Sequence, residues 1–284
     1  MFDVLPLFGT LVAFGLLLYR PIGIVDISLF FGMWLVTGLG LTVGYHRLFT
    51  HRAFSTGVTM SSIFIVMGSM AGRGPMLSWV AMHRRHHELS DQDGDLHSPN
   101  LHGATMVQRL LGFLHAHLTW MIEHDYPNVA HYVPDLMAER KLVTINRYYY
   151  AWVLLGLAVP AAIGGLATSS LMGALTGFLW GGVVRMFVVE QSMSAINSVM
   201  HTFGSRRFTT RGDNSRNLGV MALLAWGEGW HNNHHAYPSS ARQGFRWWEY
   251  DPTYYLLKGL SVLGIVWECI YHFLMQWRWE KDWP

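Results

Sequence analysis

Residues 148–184 read YYYAWVLLGLAVPAAIGGLATSSLMGALTGFLWGGVV, without one charged side chain. Gly164-Gly165 and Thr168-Ser169-Ser170 divide this run into two helices, so it reads as a hairpin of two membrane crossings, about 148–166 and 171–196. The returning helix continues through Arg185 and Glu190 toward Asn197, leaving the membrane as it gains polar residues. Upstream, Val4 to Tyr19 and Ile27 to Tyr45 are uncharged runs of 16 and 19 residues, near the roughly 20 that a spanning helix needs. Arg20-Pro21 and Gly23 punctuate between them. A secretory signal peptide would carry a basic leading region, which the first run lacks, and a second apolar run follows at once. The expectation is a first hairpin over about 4–19 and 27–45.

Composition agrees with a membrane chain. Of the 284 residues 51% are hydrophobic and 13% charged, against roughly a quarter charged in soluble domains. The mean hydropathy of +0.21 is too low for a chain that is wholly embedded, so polar residues are concentrated outside the spans. Val58 to Gly72, 15 uncharged residues, is short for a crossing and reads as interfacial or re-entrant. Tyr254 to Met275 carries Lys258, Glu268 and His272 and reads as an interfacial amphipathic helix. The expected fold is an all-α integral membrane protein, one domain over 1–284, with four transmembrane helices in two hairpins. A helical cap of 46–147 and 197–284 lies on one face with nearly all the Lys and Arg, while the opposite loops hold only Arg20. The positive-inside rule makes that face cytosolic and suggests a bacterial inner membrane. Net charge is only +2 and the basic residues are scattered, which argues against nucleic acid.

The single cysteine, Cys269, excludes an intrachain disulfide and any multi-cysteine metal site, whereas there are 16 histidines. They cluster. His46-Arg47-Leu48-Phe49-Thr50-His51 is followed by His83-Arg84-Arg85-His86-His87 and His231-Asn232-Asn233-His234-His235. At this histidine frequency the pattern H-x2-H-H is expected in about 0.05 places per chain, and it occurs twice. On a helix, positions i, i+3 and i+4 share a face, which would let three imidazoles converge on one point. The i, i+5 spacing of His46 and His51 turns them apart on a regular helix, suiting two neighbouring metals or an unwinding helix end. Eight clustered imidazoles exceed what one four-coordinate ion uses, so two metals are expected. Asn197 and His201, one turn apart at the end of the last span, add an amide and an imidazole. If Val58 to Gly72 crossed the bilayer, the first two clusters would face opposite sides, so it should not cross. Carboxylates nearby (Glu88, Asp91, Asp93, Asp95 and Glu228) are candidates to hold the second nitrogen of ligating histidines.

Imidazole sites without thiolate suit Zn, Fe, Cu or Ni. Membrane helices rich in Trp, Met and Phe favour an apolar substrate. Hydrolysis needs fewer ligands, while attack on an unactivated methylene needs O₂ at redox metals, usually non-haem iron. A metal transporter would place its ligands near the bilayer midplane; these clusters lie outside the apolar runs.

Together the three boxes and Asn197-x3-His201 resemble the membrane-bound fatty acid desaturases, in particular the Δ9 acyl-lipid and acyl-CoA branch. The resemblance covers roughly Thr42 to Asp251 and includes Gly44-Tyr45-His46-Arg47, Ser90-Asp91 after the second box, His117-x2-Trp120, and Gly227-Glu228-Gly229-Trp230 leading into the third box, with Ala236-Tyr237 after it. It implies two iron ions held by His46, His51, His83, His86, His87, His201, His231, His234 and His235, with Asn197 bound through a water. It also implies a bent hydrophobic tunnel for the acyl chain, lined by Trp79, with Ser194 where many relatives have Trp. Asp91, Asp95 and Glu228 are the expected supporting carboxylates. The implied activity is O₂-dependent introduction of a cis double bond, at Δ9, into a saturated acyl chain, and a hydroxylase or acetylenase on the same scaffold is the alternative. Electrons would come from an external ferredoxin or cytochrome b5, and membrane lipids surround the chain. Acyl-CoA members carry Arg-Asp where this chain has Ala81-Met82, and a basic pair where it has His124-Asp125. Those contacts are charge-assisted hydrogen bonds to a polyphosphate head group, so among lipid, CoA and acyl carrier protein the expected carrier is a glycerolipid, with acyl carrier protein next and CoA disfavoured. The segment Leu101 to Arg109 looks like an insertion that shapes the entrance.

Overall fold

A computed structural model describes residues 4–123, 126–210 and 212–272. Among the described residues, three helices are long and apolar enough to cross a membrane: α2 (Ile24–Thr50), α6 (Tyr149–Thr168) and α7 (Leu171–Ser198). Two further apolar helices, α1 (Val4–Leu16) and α3 (Val58–Ser69), are shorter, at 13 and 12 residues. The expected first span thus stops at Leu16, while the second runs past its expected end and through the first histidine box.

The α6–α7 hairpin follows from its small residues. Ser169 takes the left-handed conformation at φ +49° that ends α6, and the Ser170 hydroxyl accepts from the Gly173 N–H at 2.9 Å to start α7. Gly164 and Gly177 let the two backbones touch: a Cβ at Gly177 would collide with the Pro160 carbonyl oxygen. Arg185 is fully buried within α7 and donates to the carbonyls of Gly181, Met70 and Gly156 at 3.2, 2.7 and 3.0 Å. One guanidinium thereby ties α7 to α6 and to the end of α3. The α1 helix packs on α7 through Ala13, Leu179 and Trp180, with Phe14 edge-on to Trp180.

The cap is built on α4 (Met76–Leu89), α5 (Met106–Leu114), α8 (His231–Ala236) and α9 (Pro252–Val262). Its main core joins Tyr45 of α2, Phe64 and Ile65 of α3, Val80 of α4, Trp226 and Leu257. The loop before α5 is exposed from Leu101 onward, and α5 opens on a capping box between Thr105 and Gln108. The C-terminal amphipathic helix expected over Tyr254 to Met275 ends at Val262 instead. Gly264, at φ +68°, turns the chain back, and strand Val266–Trp267 pairs antiparallel with Ser55–Thr56. Beyond it the Ile270 N–H donates to Ala53 O and its carbonyl accepts from Ala241, at 2.9 and 2.8 Å. Val266 of this segment is buried in the cap core, whereas Trp267, Ile270 and Tyr271 stay exposed. Residues 273–275 of the expected helix, and the pair His124-Asp125, lie outside the described residues.

Candidate metal centre

The last turns of α2, Gly40–Thr50, are π-helical, and the His51 N–H bonds to the His46 carbonyl at 3.2 Å. An i→i+5 ladder brings residues five apart onto one face. The rings of His46 and His51 are therefore 4.8 Å apart, and the divergence expected of a regular helix does not occur.

The nine boxed and following histidines fall into two groups, each with ring nitrogens within 4.8 Å of one another: His46, His51, His83, His87 and His234, and His86, His201, His231 and His235. Neither H-x2-H-H box converges on a single point as expected. Each gives its i, i+4 pair to one group and its i+3 histidine to the other. At 100° per residue the i and i+4 side chains are about 40° apart, while i+3 points about 60° to the other side. In the first group Nε2 of His234 lies 3.0 Å from Nε2 of both His46 and His87, and Nε2 of His87 lies 3.1 Å from that of His83. In the second, Nε2 of His201 and His231 are 3.0 Å apart. The groups adjoin, with the rings of His87 and His235 stacked at 4.5 Å.

Carboxylates fix the tautomers. Nδ1 of His46 lies 2.8 Å from Glu228, His86 2.9 Å from Asp95, His201 2.9 Å from Asp91 and His235 3.0 Å from Asp213. An ionised carboxylate only accepts, so each of these Nδ1 atoms carries the proton and each Nε2 lone pair is free to face the group's centre. Burial, reinforced by neighbouring imidazoles, holds His51, His83, His87, His231 and His234 well below the ordinary histidine range, and His235 to about 4. Against the cost of burial, Asp95 raises His86. The residues present fit a pair of cations: each group contains a buried ring nitrogen, Nε2 of His51 or of His235, without a hydrogen-bond partner among the described residues.

Glu228 is itself gripped by Arg47 at 3.5 Å and by Gln243 at 3.0 Å, and Arg47 forks onto Asp251 at 3.0 and 3.1 Å. The two asparagines of the third box are scaffold. Asn232 accepts from Arg207 and Phe208 and donates to the Phe208 carbonyl; Asn233 donates to Gln243 O and Glu249. These bonds hold the six-residue α8 so that its histidines point inward.

A cavity of about 800 Å³ reaches the centre, bordered there by His46, His83, His231 and Asn197. Trp79 lines it and stacks on His83 with ring centroids 5.0 Å apart. A separate, more polar cavity of about 450 Å³ touches His87 and His235.

The structure brings together all nine histidines, places Asn197 and Trp79 at the cavity, and sets Asp91, Asp95 and Glu228 against imidazoles. It does not place Ser194 there. Ser194 is enclosed within α7, borders neither cavity, and its hydroxyl has no hydrogen-bond partner among the described residues. Of the other acidic candidates, Glu88 bonds Tyr132 and Asp93 is exposed. His117 stands apart, 2.8 Å from Ser198 and 3.1 Å from Gln191 of α7. Sequence reasoning missed Asp213 and His97, the latter beside Asp95 and the cavity; only the two-residue spacing Asp95–His97 gave a signal, and Asp213 gave none.

Comparison with known proteins supplies independent findings. The family model described as fatty acid desaturase matches residues 26–265. The chain is 47% identical over 270 residues to a hex-5-enoyl-[acyl-carrier protein] acetylenase of Moorena producens, covering 94% of this chain and 84% of that protein. It is 34% identical over 235 residues to an sn-1 stearoyl-lipid 9-desaturase of Anabaena variabilis, covering 82% and 79%. With Delta-9 acyl-lipid desaturase 1 of Arabidopsis thaliana it shares 33% over 233 residues, covering 82% and 71%.

Proposed function

Because this chain belongs to the fatty acid desaturase family, and is an oxidoreductase of the membrane, we propose that it dehydrogenates a fatty acyl chain at a di-iron centre. The observation that carries this reading is the meeting of nine imidazoles, in two adjoining groups, at the wall of a cavity large enough for an acyl chain. The irons would be held by His46, His51, His83, His87 and His234, and by His86, His201, His231 and His235, with Asn197 within reach through a water. Iron bound there supplies the O₂ activation that breaks unactivated C–H bonds. One –CH₂–CH₂– unit, one O₂, two electrons and two protons give –CH=CH– and two waters; the electrons come from an external ferredoxin or cytochrome b5.

The chain's own residues do the positioning. Glu228, Asp95, Asp91 and Asp213 keep the Nδ1 protons in place and leave Nε2 for the metal. Trp79, braced on His83, confines the acyl chain beside the centre. Val4, Leu5, Phe8, Leu11 and Val12 of α1 are exposed and apolar, which supports a fourth crossing, and the excess of Lys and Arg on the cap supports a cytoplasmic site.

A second reading, formation of a triple bond from an existing double bond, is favoured by the 47% identity to the acetylenase, whose name gives a substrate carried on acyl carrier protein. The missing head-group contacts at Ala81-Met82 agree with a carrier other than CoA. Position 81 is fully buried in the core, so it offers no route for an arginine toward a head group.

Mass spectrometry of acyl products, with saturated and terminally unsaturated substrates supplied in parallel, tests both readings. A loss of 2 Da from the saturated chain supports desaturation, the same loss from the alkene supports acetylenase action, and a gain of 16 Da means hydroxylation. His86→Ala and His234→Ala should each lower bound iron and abolish turnover while membrane insertion persists. Normal turnover in either variant refutes the ligand assignment.

A further inference from the structure

Glu190 is an ionisable residue on a membrane-spanning helix, a placement that marks a functional site by default, and the reaction above does not use it. Its Oε1 lies 3.5 Å from Nη1 of Arg73, with the two side chains 6% and 8% exposed. Taking such a pair out of water costs several kcal/mol per ion, and apolar residues of similar volume are often no less stable. Stability therefore does not account for the pair.

Arg73 borders the cavity that reaches the metal centre, and its Nη1 also meets Sδ of Met121 at 3.4 Å. The turn that presents it is fixed. Gly72 and Gly74 flank it at φ +81° and +97°, a region side chains resist, and the Gly74 N–H donates to the Tyr149 hydroxyl at 2.9 Å. Of the residues that line the cavity, Tyr126 and Tyr150 are 69% and 65% exposed, whereas Leu41, Thr42, Glu228 and His231 are buried. Arg73 stands just before α4, and from Met76 to His83 that helix rises about 10 Å. A methylene held against a guanidinium would strip its water and return no hydrogen bond, whereas a carbonyl oxygen returns one.

We infer that Arg73 receives the carbonyl oxygen of the acyl substrate, and that Glu190 positions the guanidinium, so that the pair sets which carbons face the metal centre. The inference rests on the acyl-oxidising reading and deepens it: the substrate presents its ester or thioester carbonyl inside the cavity, set apart from the bond that reacts.

The test is a binding comparison that needs no turnover. Full-length enzyme in nanodiscs is titrated with S-hexanoyl-pantetheine and its S-hexyl thioether, and with hexanoyl-glycerol and its hexyl ether. In wild type, loss of the carbonyl should weaken one of these pairs about ten- to a hundredfold, the range of a hydrogen bond to a charged group; the responding pair tells thioester from glycerolipid. In Arg73→Met/Glu190→Met, which removes both members of the pair, the carbonyl should make less than about a twofold difference, with Arg73→Lys retaining part of the wild-type effect. Regiochemistry is the second readout: the double variant should give a spread of bond positions or raise KM far more than it lowers kcat. An equal carbonyl effect in wild type and variant, with unchanged regiochemistry, overturns the inference. If wild type binds the carbonyl probe preferentially yet oxidises no acyl chain, the function proposed above fails while the carbonyl site stands.

Discussion

Asp213 binds Nδ1 of His235 at 3.0 Å and is itself held by the Ser215 N–H at 2.7 Å and hydroxyl at 2.8 Å. Burial works against its charge, but the hydrogen bonds from His235 and the Ser215 N–H hold the carboxyl far below its usual range. Asp213→Asn keeps the shape and turns an obligate acceptor into a group that also donates, so His235 loses the partner that fixes its tautomer. Metal affinity should fall about ten- to a hundredfold, which iron retention against a graded chelator challenge will show; retention equal to wild type would mean that the carboxylate is only a loop staple. Nothing near Asp213 marked it in the sequence, because its partner is 22 positions away and no box contains it. Asp91, Asp95 and Glu228 were legible because each stands within a few residues of a box. Ser194 illustrates the reverse: a position read as tunnel wall from likeness is turned into the packing of α7.

At the scale of elements, the π-helical end of α2 and the glycine-lined hairpin carry the geometry. The spacing of His46 and His51 was visible, but its consequence depended on the ladder, which local sequence did not specify. Gly177→Ala should push α7 off α6, since the new methyl meets the Pro160 carbonyl oxygen, at a cost of about 1–3 kcal/mol. A thermal melt in detergent should register the shift, and an unchanged melting temperature would mean that the hairpin can part freely. Arg185→Met leaves the carbonyls of Met70 and Gly156 without their donor; about 1–3 kcal/mol for each buried acceptor is the expected loss. Iron should stay bound until the protein unfolds, because Arg185 touches no metal-facing histidine. Early iron loss, measured along the same melt, would show that the brace acts on the centre itself.

Across the whole molecule, the C-terminal strand closes the cap by joining the loop after the first histidine box to the segment after the third, through Ser55–Thr56, Ala53 and Ala241. Truncation after Gly264 removes those ties while leaving every boxed histidine in the chain. The expected outcome is a protein that inserts in membranes but binds iron weakly; full iron occupancy in the truncated chain would refute a closing role. By itself the sequence determined the membrane character, the long apolar helices near 148–166 and 171–196, and the clustered histidines with the expectation of two metals, since these follow from runs of apolar residues and from ligand counting. Tertiary structure alone decided how each box divides between two groups, that Asp213 joins them, that Ser194 does not, and that Arg73 meets Glu190 beside the cavity. The physical reason is distance along the chain: a hydrophobic run or a histidine repeat acts over one or two helical turns, whereas metal-facing histidines and their carboxylates, such as His46 with Glu228 and His201 with Asp91, meet only when distant segments bury the same surface.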